Sequence, residues 1–223
     1  MHRHTTAAPA ITILLAATLA STAACRPLAE AASATHPASP SAPSGNVGAA
    51  RGELAALAVK PEDTGAHYDR DDWPHWDTTH GACDAREDAL IAQGRDVRTD
   101  ARCHPVSGTW VSPYDGVTVT DPGKLDIDHL VPLAEVARSG ARGWSRAQRE
   151  HYANDPAVLV VVTAHANRAK GDQDPAKWLP ERDRCGYVAH WIEVKTRYQL
   201  TVDQAEHDAL AAVLAHCPDG GER

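Results

Sequence analysis

Short runs of apolar and polar positions predict two small strand systems in this chain. Residues 157–163 (AVLVVVT) form an apolar, β-branched run of strand length, and another strand runs from Lys124 into His129. Residues 109–111 and 117–120 flank an Asp-Gly turn, which is a strong hairpin signal. These runs are too short and too few for a large sheet.

Capping residues and helical spacing predict helices over much of the remaining chain. Asp84 with Glu87, and Ser145 with Gln148, have the spacing of a capping box. Further helices are expected over residues 53–60, 132–139, the segment with the apolar stripe Tyr187, Trp191, Val194 and Tyr198, and residues 201–215, which Thr201 would cap. Helices around small strand systems indicate an α+β fold.

The N-terminal residues have the composition of a targeting segment. Arg3 precedes an apolar run over residues 10–20, which is too short to span a bilayer and is typical of a secretory signal over residues 1–24. The following Thr-Ala-Ala-Cys resembles a bacterial lipobox and predicts lipidation of Cys25. Simple secretion after cleavage nearby is the alternative. Either way the protein is expected at the cell surface or outside the cell.

A tether and one domain are expected after the signal. Residues 25–52 are rich in Ala, Ser, Pro and Gly and have almost no large apolar side chains, so they predict a flexible tether. Residues 53–218 are enough for a single domain with a sizeable core.

The charge balance limits the classes of nucleic-acid partner. Removal of residues 1–24 takes one positive charge, Arg3, from the formal net charge of −8 and leaves −9. Tight sequence-independent nucleic-acid binders are usually basic. An enzyme that needs only a local cationic strip remains compatible with an acidic chain.

Four cysteines follow Cys25, namely Cys83, Cys103, Cys185 and Cys217. An even number in an exported chain indicates two disulfides. Among the three possible pairings we favour Cys83–Cys103 and Cys185–Cys217, because each would close a compact local unit. A zinc cluster is disfavoured because the chain has no Cys-x-x-Cys pair.

Two polar segments carry the candidate chemistry. Residues 126–129 (Asp-Ile-Asp-His) end the predicted first strand, and residues 167–170 (Asn-Arg-Ala-Lys) lie where a helix begins after the second strand. They supply carboxylates, an imidazole, an amide oxygen and a fixed cation. These are a hard-metal ligand set, a general base and a phosphate contact, which together predict phosphodiester hydrolysis.

In combination these segments resemble a known family. The shared segments are residues 112–116 (SPYDG), 126–133 (DIDHLVPL), 152–156 (YANDP), 167–172 (NRAKGD), 178–180 (WLP) and the predicted helix over residues 185–198. They resemble an HNH endonuclease family, of the secreted actinobacterial type related to the C-terminal domain of GmrSD restriction endonucleases, over most of residues 67–215. The resemblance implies a ββα-metal core with surrounding helices and an extra β-hairpin.

The resemblance also implies a role for each signature residue. His129 is expected as the general base, and Asp128 with Asn167 as ligands of one divalent metal ion. Their oxygen atoms fit Mg²⁺ best, with Mn²⁺, Ca²⁺ and Zn²⁺ as alternatives. Lys170 and Arg168 are expected to contact a substrate phosphate, and the alternative for each is a solvated surface charge.

The residues that would orient these groups have more than one interpretation. Asp126 lies one pleat from Asp128, so it faces the same side of the strand and either orients a ligand or base or caps a turn. The HNH signature has an Asn before the second strand that orients the base, and Val158 stands there in this chain. Asn154, or a backbone carbonyl, is therefore expected to hold His129.

The segment 68–77 (YDRDDWPHWD) is compatible with two interpretations. It is either a loop that docks two tryptophans on the core or a loop that lines the substrate site. Neither a strand nor a calcium loop fits its spacing.

The sequence thus predicts an exported, monomeric, metal-dependent endonuclease of low sequence specificity that acts on DNA, with RNA as a further substrate class. Two alternatives remain open. One is a non-catalytic cell-surface binding module on an HNH scaffold, and the other is an exported nuclease toxin with the same chemistry. No protein partner is indicated.

Overall fold

The computed structural model describes residues 45–65 and 68–218 of the 223-residue chain. The predicted signal over residues 1–24, the lipidation at Cys25 and the first part of the predicted tether lie outside the described residues. Among the residues that are described, no helix is long and apolar enough to cross a membrane.

The architecture consists of helices around three small antiparallel sheets. The helices are α1 (Val47–Ala56), α2 (Ala85–Gln93), α3 (Leu133–Arg138), α4 (Arg146–Asn154), α5 (Ala164–Lys170), α6 (Arg184–Arg197) and α7 (Gln204–Leu214). The strands are β1 (Thr78–His80), β2 (Cys83–Asp84), β3 (Arg95–Thr99), β4 (Pro105–Val111), β5 (Thr118–Val119), β6 (Leu125–His129) and β7 (Leu159–Thr163). The sheets have the strand orders β1-β2, β3-β4-β5 and β6-β7. The predicted α+β class is confirmed.

The antiparallel strand pair β6–β7 lies in the core, and β7 leads directly into α5. Its register pairs Leu125 with Thr163 and His129 with Leu159. Every residue of β7 is buried, because α2 and α5 pack against the strand pair. The Thr163 hydroxyl caps α5 by accepting from the Ala166 amide at 3.2 Å, so the strand ends where the helix begins.

Local sequence signals predicted several elements correctly. Asp84 caps α2 and Ser145 caps α4, each with the reciprocal bond of a capping box. The Asp115–Gly116 turn joins β4 to β5 as expected, with Trp110 paired to Val119. Gly116 has a φ of 74°, in the region that favours glycine.

The first helix lies earlier than predicted. We expected a helix over residues 53–60, whereas α1 spans Val47–Ala56 with Asn46 as its cap. Part of the predicted tether is therefore helical, and α1 packs against α6 and α7. The chain leaves the helix at Leu57 because the next residues pair with the segment before α7, where the Lys60 amide donates to the Val202 carbonyl at 2.8 Å.

The cap of the last helix also differs from the prediction. Asp203, and not Thr201, accepts from the Glu206 amide at 2.9 Å and begins α7. Thr201 instead bonds to the Ser139 carbonyl, which links the start of this segment to the end of α3. Two possible caps two residues apart could not be told apart from spacing alone.

Both favoured disulfides are confirmed. Cys83 is bonded to Cys103, and Cys185 to Cys217. The first ties β2 to the turn between β3 and β4, and the second joins α6 to the end of α7. Such bonds form in oxidising compartments.

Candidate active site

Asp128 lies at the centre of a buried charge network on β6. Its carboxylate accepts the Tyr114 hydroxyl at 2.6 Å, and the Lys170 ammonium lies 2.8 and 3.0 Å from its two oxygens. Burial raises the pKa of the Asp128 carboxyl, and the attraction of Lys170 opposes that rise. Both oxygens are therefore already engaged by protein donors.

Lys170 is placed differently from the prediction. It was expected to contact a phosphate or to be a solvated surface charge, but its side chain is fully buried. The ammonium donates to Asp128 and, at 3.1 Å, to the carbonyl of His129. Burial lowers the pKa of Lys170, although its ion pair favours the charged form. Lys170 thus joins α5 to β6 and does not reach a substrate in this conformation.

Asp126 and Asn167 form a second, more accessible pair on the same face. The Asn167 amide group lies 3.0 Å from Asp126 Oδ2, and both side chains are half-buried. Asp126 and Asp128 both face α5, as the pleat predicted. Asp126 therefore contacts Asn167 directly and does not merely cap a turn.

The donor chemistry of this face fits a divalent cation. Asp126, Asp128 and Asn167 offer carboxylate and amide oxygens, which are the ligands that hard divalent ions prefer. Asp126 and Asn167 are the accessible members, whereas Asp128 shares its charge with Lys170. Within the described ranges, the groups of three His, Cys, Asp or Glu side chains that could hold a metal ion do not include these residues.

The His129 ring is held by a backbone carbonyl. Its Nε2 lies 2.9 Å from the Ala153 carbonyl oxygen. A carbonyl can only accept, so Nε2 carries the hydrogen and Nδ1 of the neutral ring keeps its lone pair. The Ala153 carbonyl of α4 therefore fixes the tautomer with a hydrogen on Nε2 and a free lone pair on Nδ1, which is the tautomer that a general base needs.

Two aromatic rings enclose His129. Trp76 is stacked on it at a centroid distance of 6.1 Å and an interplanar angle of 22°, and Tyr152 at 6.3 Å and 19°. Burial is the main cause that lowers the pKa of His129 to about 3, and nearby Arg70, Lys170 and His75 lower it further. The ring is neutral at physiological pH and free to accept a proton, but it is a weak base while it is covered.

The Asn154 side chain bonds to residues of the loop beside His129 and not to the His129 ring. Its side chain donates to the Pro74 carbonyl at 3.0 Å and accepts from the Asp77 amide at 2.9 Å. Of the two expected ways of holding His129, the structure has the backbone carbonyl, from Ala153. Asn154 instead attaches the loop that carries Trp76 to α4.

The segment Tyr68–Asp77, which we call the Trp76 loop, combines both interpretations offered by its sequence. Trp73 is buried against Trp144 and Tyr152, so one tryptophan does dock on the core. Trp76 instead covers the candidate base. A short 3-10 turn over Arg70–Asp72 leads into this region.

The remaining signature residues have mixed environments. Arg168 is exposed on α5, where it is available to a ligand. Asp172 accepts a 2.9 Å bond from Arg138, which ties the end of α5 to α3. Gly171, which lies between Lys170 at the end of α5 and Asp172, has a φ of 57°, and this conformation explains the glycine there.

Tyr114 belongs to the site but was not predicted as functional, and Trp76 was predicted only as part of a loop that either docks on the core or lines the substrate site. Tyr114 stands in the SPYDG segment, which marked the resemblance without indicating a role. Its hydroxyl contacts Asp128, and the neighbouring Asp115 accepts a 2.5 Å bond from the Thr163 hydroxyl. The turn of the β4–β5 hairpin therefore supports both β6 and the start of α5.

The fold and the site together define a class of protein. A strand pair with Asp-His at the end of its first strand, followed directly by a helix that carries Asn167, forms an HNH-like α+β fold. Residues 85–213 match the family model of the C-terminal domain of GmrSD restriction endonucleases. The chain belongs to this family, as the resemblance predicted. The family indicates a nuclease-related function, and with it a divalent metal ion and a nucleic-acid substrate.

One relative is similar to the chain over most of its length. A protein of Arthroderma benhamiae named "Uncharacterized secreted protein" is 42% identical over 185 residues, which cover 81% of this chain and 90% of that protein. No solved structure is significantly similar to the chain.

Proposed function

We propose that the protein is an exported, metal-dependent HNH endonuclease that hydrolyses phosphodiester bonds in DNA with low sequence specificity, with RNA as the alternative substrate. The observation that carries the proposal is the fixed tautomer of His129. Its Nε2 is committed to the Ala153 carbonyl, which leaves Nδ1 to take a proton from water.

The chemical step uses the chain's own groups in a simple way. The oxygen of a water molecule bonds to phosphorus while the bond from phosphorus to O3′ breaks, and the water proton passes to His129 Nδ1. Asp128 and Asn167, with Asp126 beside them, are the residues that would hold the divalent ion. When bound, that ion supplies charge stabilisation at the phosphate and at the leaving oxygen. Mg²⁺ is the ion that their oxygen atoms favour.

Arg168 is the proposed phosphate contact on α5. Its side chain is exposed near Asn167, one residue away in the helix. The acidic net charge of the whole chain favours release of the cleaved product, because affinity for nucleic acid depends largely on neutralised phosphates.

Export is supported by two independent features. The two disulfides require an oxidising compartment, and the relative from Arthroderma benhamiae is named a secreted protein. We further propose the domain plan of a signal over residues 1–24, lipidation at Cys25 and a tether that now ends before α1. A monomer is the proposed state.

A plasmid-nicking assay tests the proposal. Wild type is incubated with Mg²⁺ or Mn²⁺, with and without chelator, on duplex DNA, single strands and RNA in parallel. We expect metal-dependent cleavage that His129→Ala reduces by about 100-fold or more, the usual contribution of a positioned base. His104→Ala, on an exposed turn between β3 and β4, is the matched control and retains activity. Equal cleavage by wild type and His129→Ala would sink the proposal.

One observation favours a second candidate function. The carboxylate of Asp128 is closed by Lys170 and Tyr114, as expected of a scaffold that no longer binds metal. A non-catalytic surface-binding module predicts retained binding to nucleic acid or wall polymer without cleavage under any metal. The same assay, followed by a pull-down, separates the two functions. A toxin would share the chemistry and is distinguished by a cognate immunity protein.

A further inference from the structure

The Trp76 loop forms a continuous line of contacts that ends at the candidate base. The Arg70 guanidinium lies 3.3 Å from His75 Nε2, the His75 ring packs edge-on against Trp76 at 5.2 Å, and Trp76 stacks on His129. A charged, exposed group is thus connected to the base through two rings. A loop that merely filled a core gap would need neither Arg70 nor His75.

The loop is firmly attached on both sides of Trp76. The buried Trp73 anchors one side, and the Asn154 side chain bonds to the Pro74 carbonyl and to both the amide and the carboxylate of Asp77. His75 Nδ1 also donates to the Trp73 carbonyl at 2.8 Å, which leaves His75 Nε2 to accept from Arg70. Contacts that do not involve His129 therefore fix the positions of Trp76 and Arg70.

Trp76 has a backbone conformation that a tryptophan rarely adopts. Its φ is 65°, in the left-handed region, where an L side chain meets steric strain. Such strain persists only where the surroundings enforce it, and it is concentrated at ligand clamps and active sites. Here the strained residue is the one that covers His129.

From these contacts we infer that the Trp76 loop is the substrate clamp of the site, in which Trp76 positions the His129 ring and Arg70 binds the phosphate next to the scissile bond. The inference rests on the proposed function and extends it. A guanidinium presents a planar fork of donors that matches two phosphate oxygens. Arg70 and Arg168 would then contact the substrate from the Trp76 loop and from α5.

Binding without cleavage tests the part played by Arg70. A short DNA duplex is titrated in chelator by fluorescence anisotropy at several salt concentrations, with wild type, Arg70→Ala, Arg70→Lys and Arg98→Ala. Arg98 is an exposed arginine on β3, which does not belong to the β6-β7 sheet that carries the candidate site. We expect Arg70→Ala to weaken binding and to reduce the slope of log affinity against log salt by about one, the effect of one lost phosphate contact. An effect equal to that of Arg98→Ala overturns this part of the inference.

Kinetics and ring spectroscopy test the part played by Trp76. Loss of alignment at a base typically costs about 100-fold, so Trp76→Ala is expected to lower kcat by about 10- to 100-fold with little change in KM. Trp76→Phe, which keeps a stacked ring, should recover most of the rate. Nitrogen NMR of His129 at fixed pH should show the single Nε2–H tautomer in wild type and a mixture in Trp76→Ala. An unchanged kcat and tautomer in Trp76→Ala would overturn this part.

The outcomes separate this inference from the proposed function. One outcome is that wild type does not cleave, while Arg70→Ala loses one phosphate contact and Trp76→Ala loses the single tautomer. The proposed function then fails and the clamp stands. If wild type cleaves and neither variant differs from Arg98→Ala, the clamp fails and the proposed function stands. If wild type neither binds nor cleaves nucleic acid, both fail.

Discussion

At the scale of single residues, the site depends on how Asp128 is shared. Lys170 neutralises it from α5, Tyr114 donates to it from the β4–β5 turn, and the side chain is buried. A metal ion that used Asp128 would therefore compete with the Lys170 ammonium for the same oxygens. Asp126 and Asn167 are not subject to this competition.

Replacing Lys170 tests whether Asp128 is a metal ligand. Lys170→Met leaves a buried, unpaired carboxylate, so we expect a loss of about 3–5 kcal/mol in the free energy of unfolding. If Asp128 binds the ion, Mn²⁺ should then stabilise Lys170→Met more than it stabilises wild type, because the ion replaces the missing charge. Chemical unfolding with and without Mn²⁺ gives both values.

The double variant Asp128→Asn with Lys170→Met is the matched control. It removes both charges, so it should be more stable than Lys170→Met alone and lose the extra response to Mn²⁺. An equal response to Mn²⁺ in wild type and Lys170→Met would instead point to Asp126 and Asn167 as the ligands.

At the scale of elements, the C-terminal end of α4 supports both His129 and the Trp76 loop. Ala153 supplies the carbonyl that holds His129, Tyr152 stacks on the same ring, and Asn154 holds the Trp76 loop. Three consecutive residues thus connect the base to the loop. The capping box at Ser145, at the other end of α4, sets the register that brings them there.

Replacing Asn154 should loosen the Trp76 loop without unfolding the domain. Asn154→Ala removes the bonds to the Pro74 carbonyl and to the Asp77 amide, which leaves partly buried polar groups unpaired and costs about 1–3 kcal/mol. Hydrogen exchange should then be faster at the amides of Trp73, His75, Trp76 and Asp77, while the amides of β6 and β7 stay protected.

A second variant separates the donors of Asn154 from its acceptor. Asn154→Asp keeps an acceptor for the Asp77 amide but loses both donors and sets two carboxylates against each other. It should therefore loosen the loop at least as much as Asn154→Ala. Faster exchange spread evenly over the domain would contradict a local role for Asn154.

Elements with local signals could be predicted from the sequence, and those that depend on distant packing could not. The Asp84 and Ser145 caps, the Asp115–Gly116 turn and the strand before His129 are each encoded within a few neighbouring residues. The position of α1 depends instead on its packing against α6 and α7, and the strand β3 is short, exposed and charged.

The same distinction applies to the site. The residue types of Asp128, His129 and Asn167 could be recognised because the chemistry requires them within short segments. That Lys170 is buried, and that Trp76 covers His129, depends on contacts between residues 42 and 53 positions apart. No local pattern distinguishes a lysine in a buried ion pair from one on the surface of a short helix.

At the scale of the whole molecule, a second buried network joins α3, α6 and α7. Lys195 is fully buried and donates to Glu135 at 2.7 Å and to Glu206 at 2.9 Å, while Trp191 Nε1 donates to Glu206 at 2.6 Å. These two carboxylates share one lysine, and of the two only Glu135 is also paired with Arg138. This network lies apart from the residues proposed for catalysis, so its role is in the stability of the helical layer.

Glu206 makes the stability of the fold depend on pH. Burial and the repulsion of Glu135 raise its pKa from 4.5 to about 7, against the attraction of Lys195. The folded protein then binds a proton that the unfolded chain has lost between these two values, so stability falls as pH rises from about 4.5 to 7. The difference corresponds to about 1–3 kcal/mol in the free energy of unfolding.

His129 has the opposite effect on stability. Its pKa is lowered from 6.5 to about 3 in the folded protein, so the unfolded chain binds the additional proton and stability falls as pH drops below 6.5. The changes of stability with pH that Glu206 and His129 cause have opposite signs, so they largely cancel in wild type between about pH 4.5 and 6.5. A stability curve of the wild type alone would therefore conceal both groups.

Comparison with Glu206→Gln isolates the contribution of Glu206. The amide oxygen can still accept from Trp191 and Lys195 but does not titrate, so the variant should gain stability relative to wild type as pH rises from 5 to 8, by about 1–3 kcal/mol. Urea unfolding at pH 5 and pH 8 for both proteins measures that change, and Glu193→Gln, on the half-exposed side of α6, should track wild type. A constant difference between Glu206→Gln and wild type across this range would mean that Glu206 stays ionised, with Lys195 balancing both carboxylates.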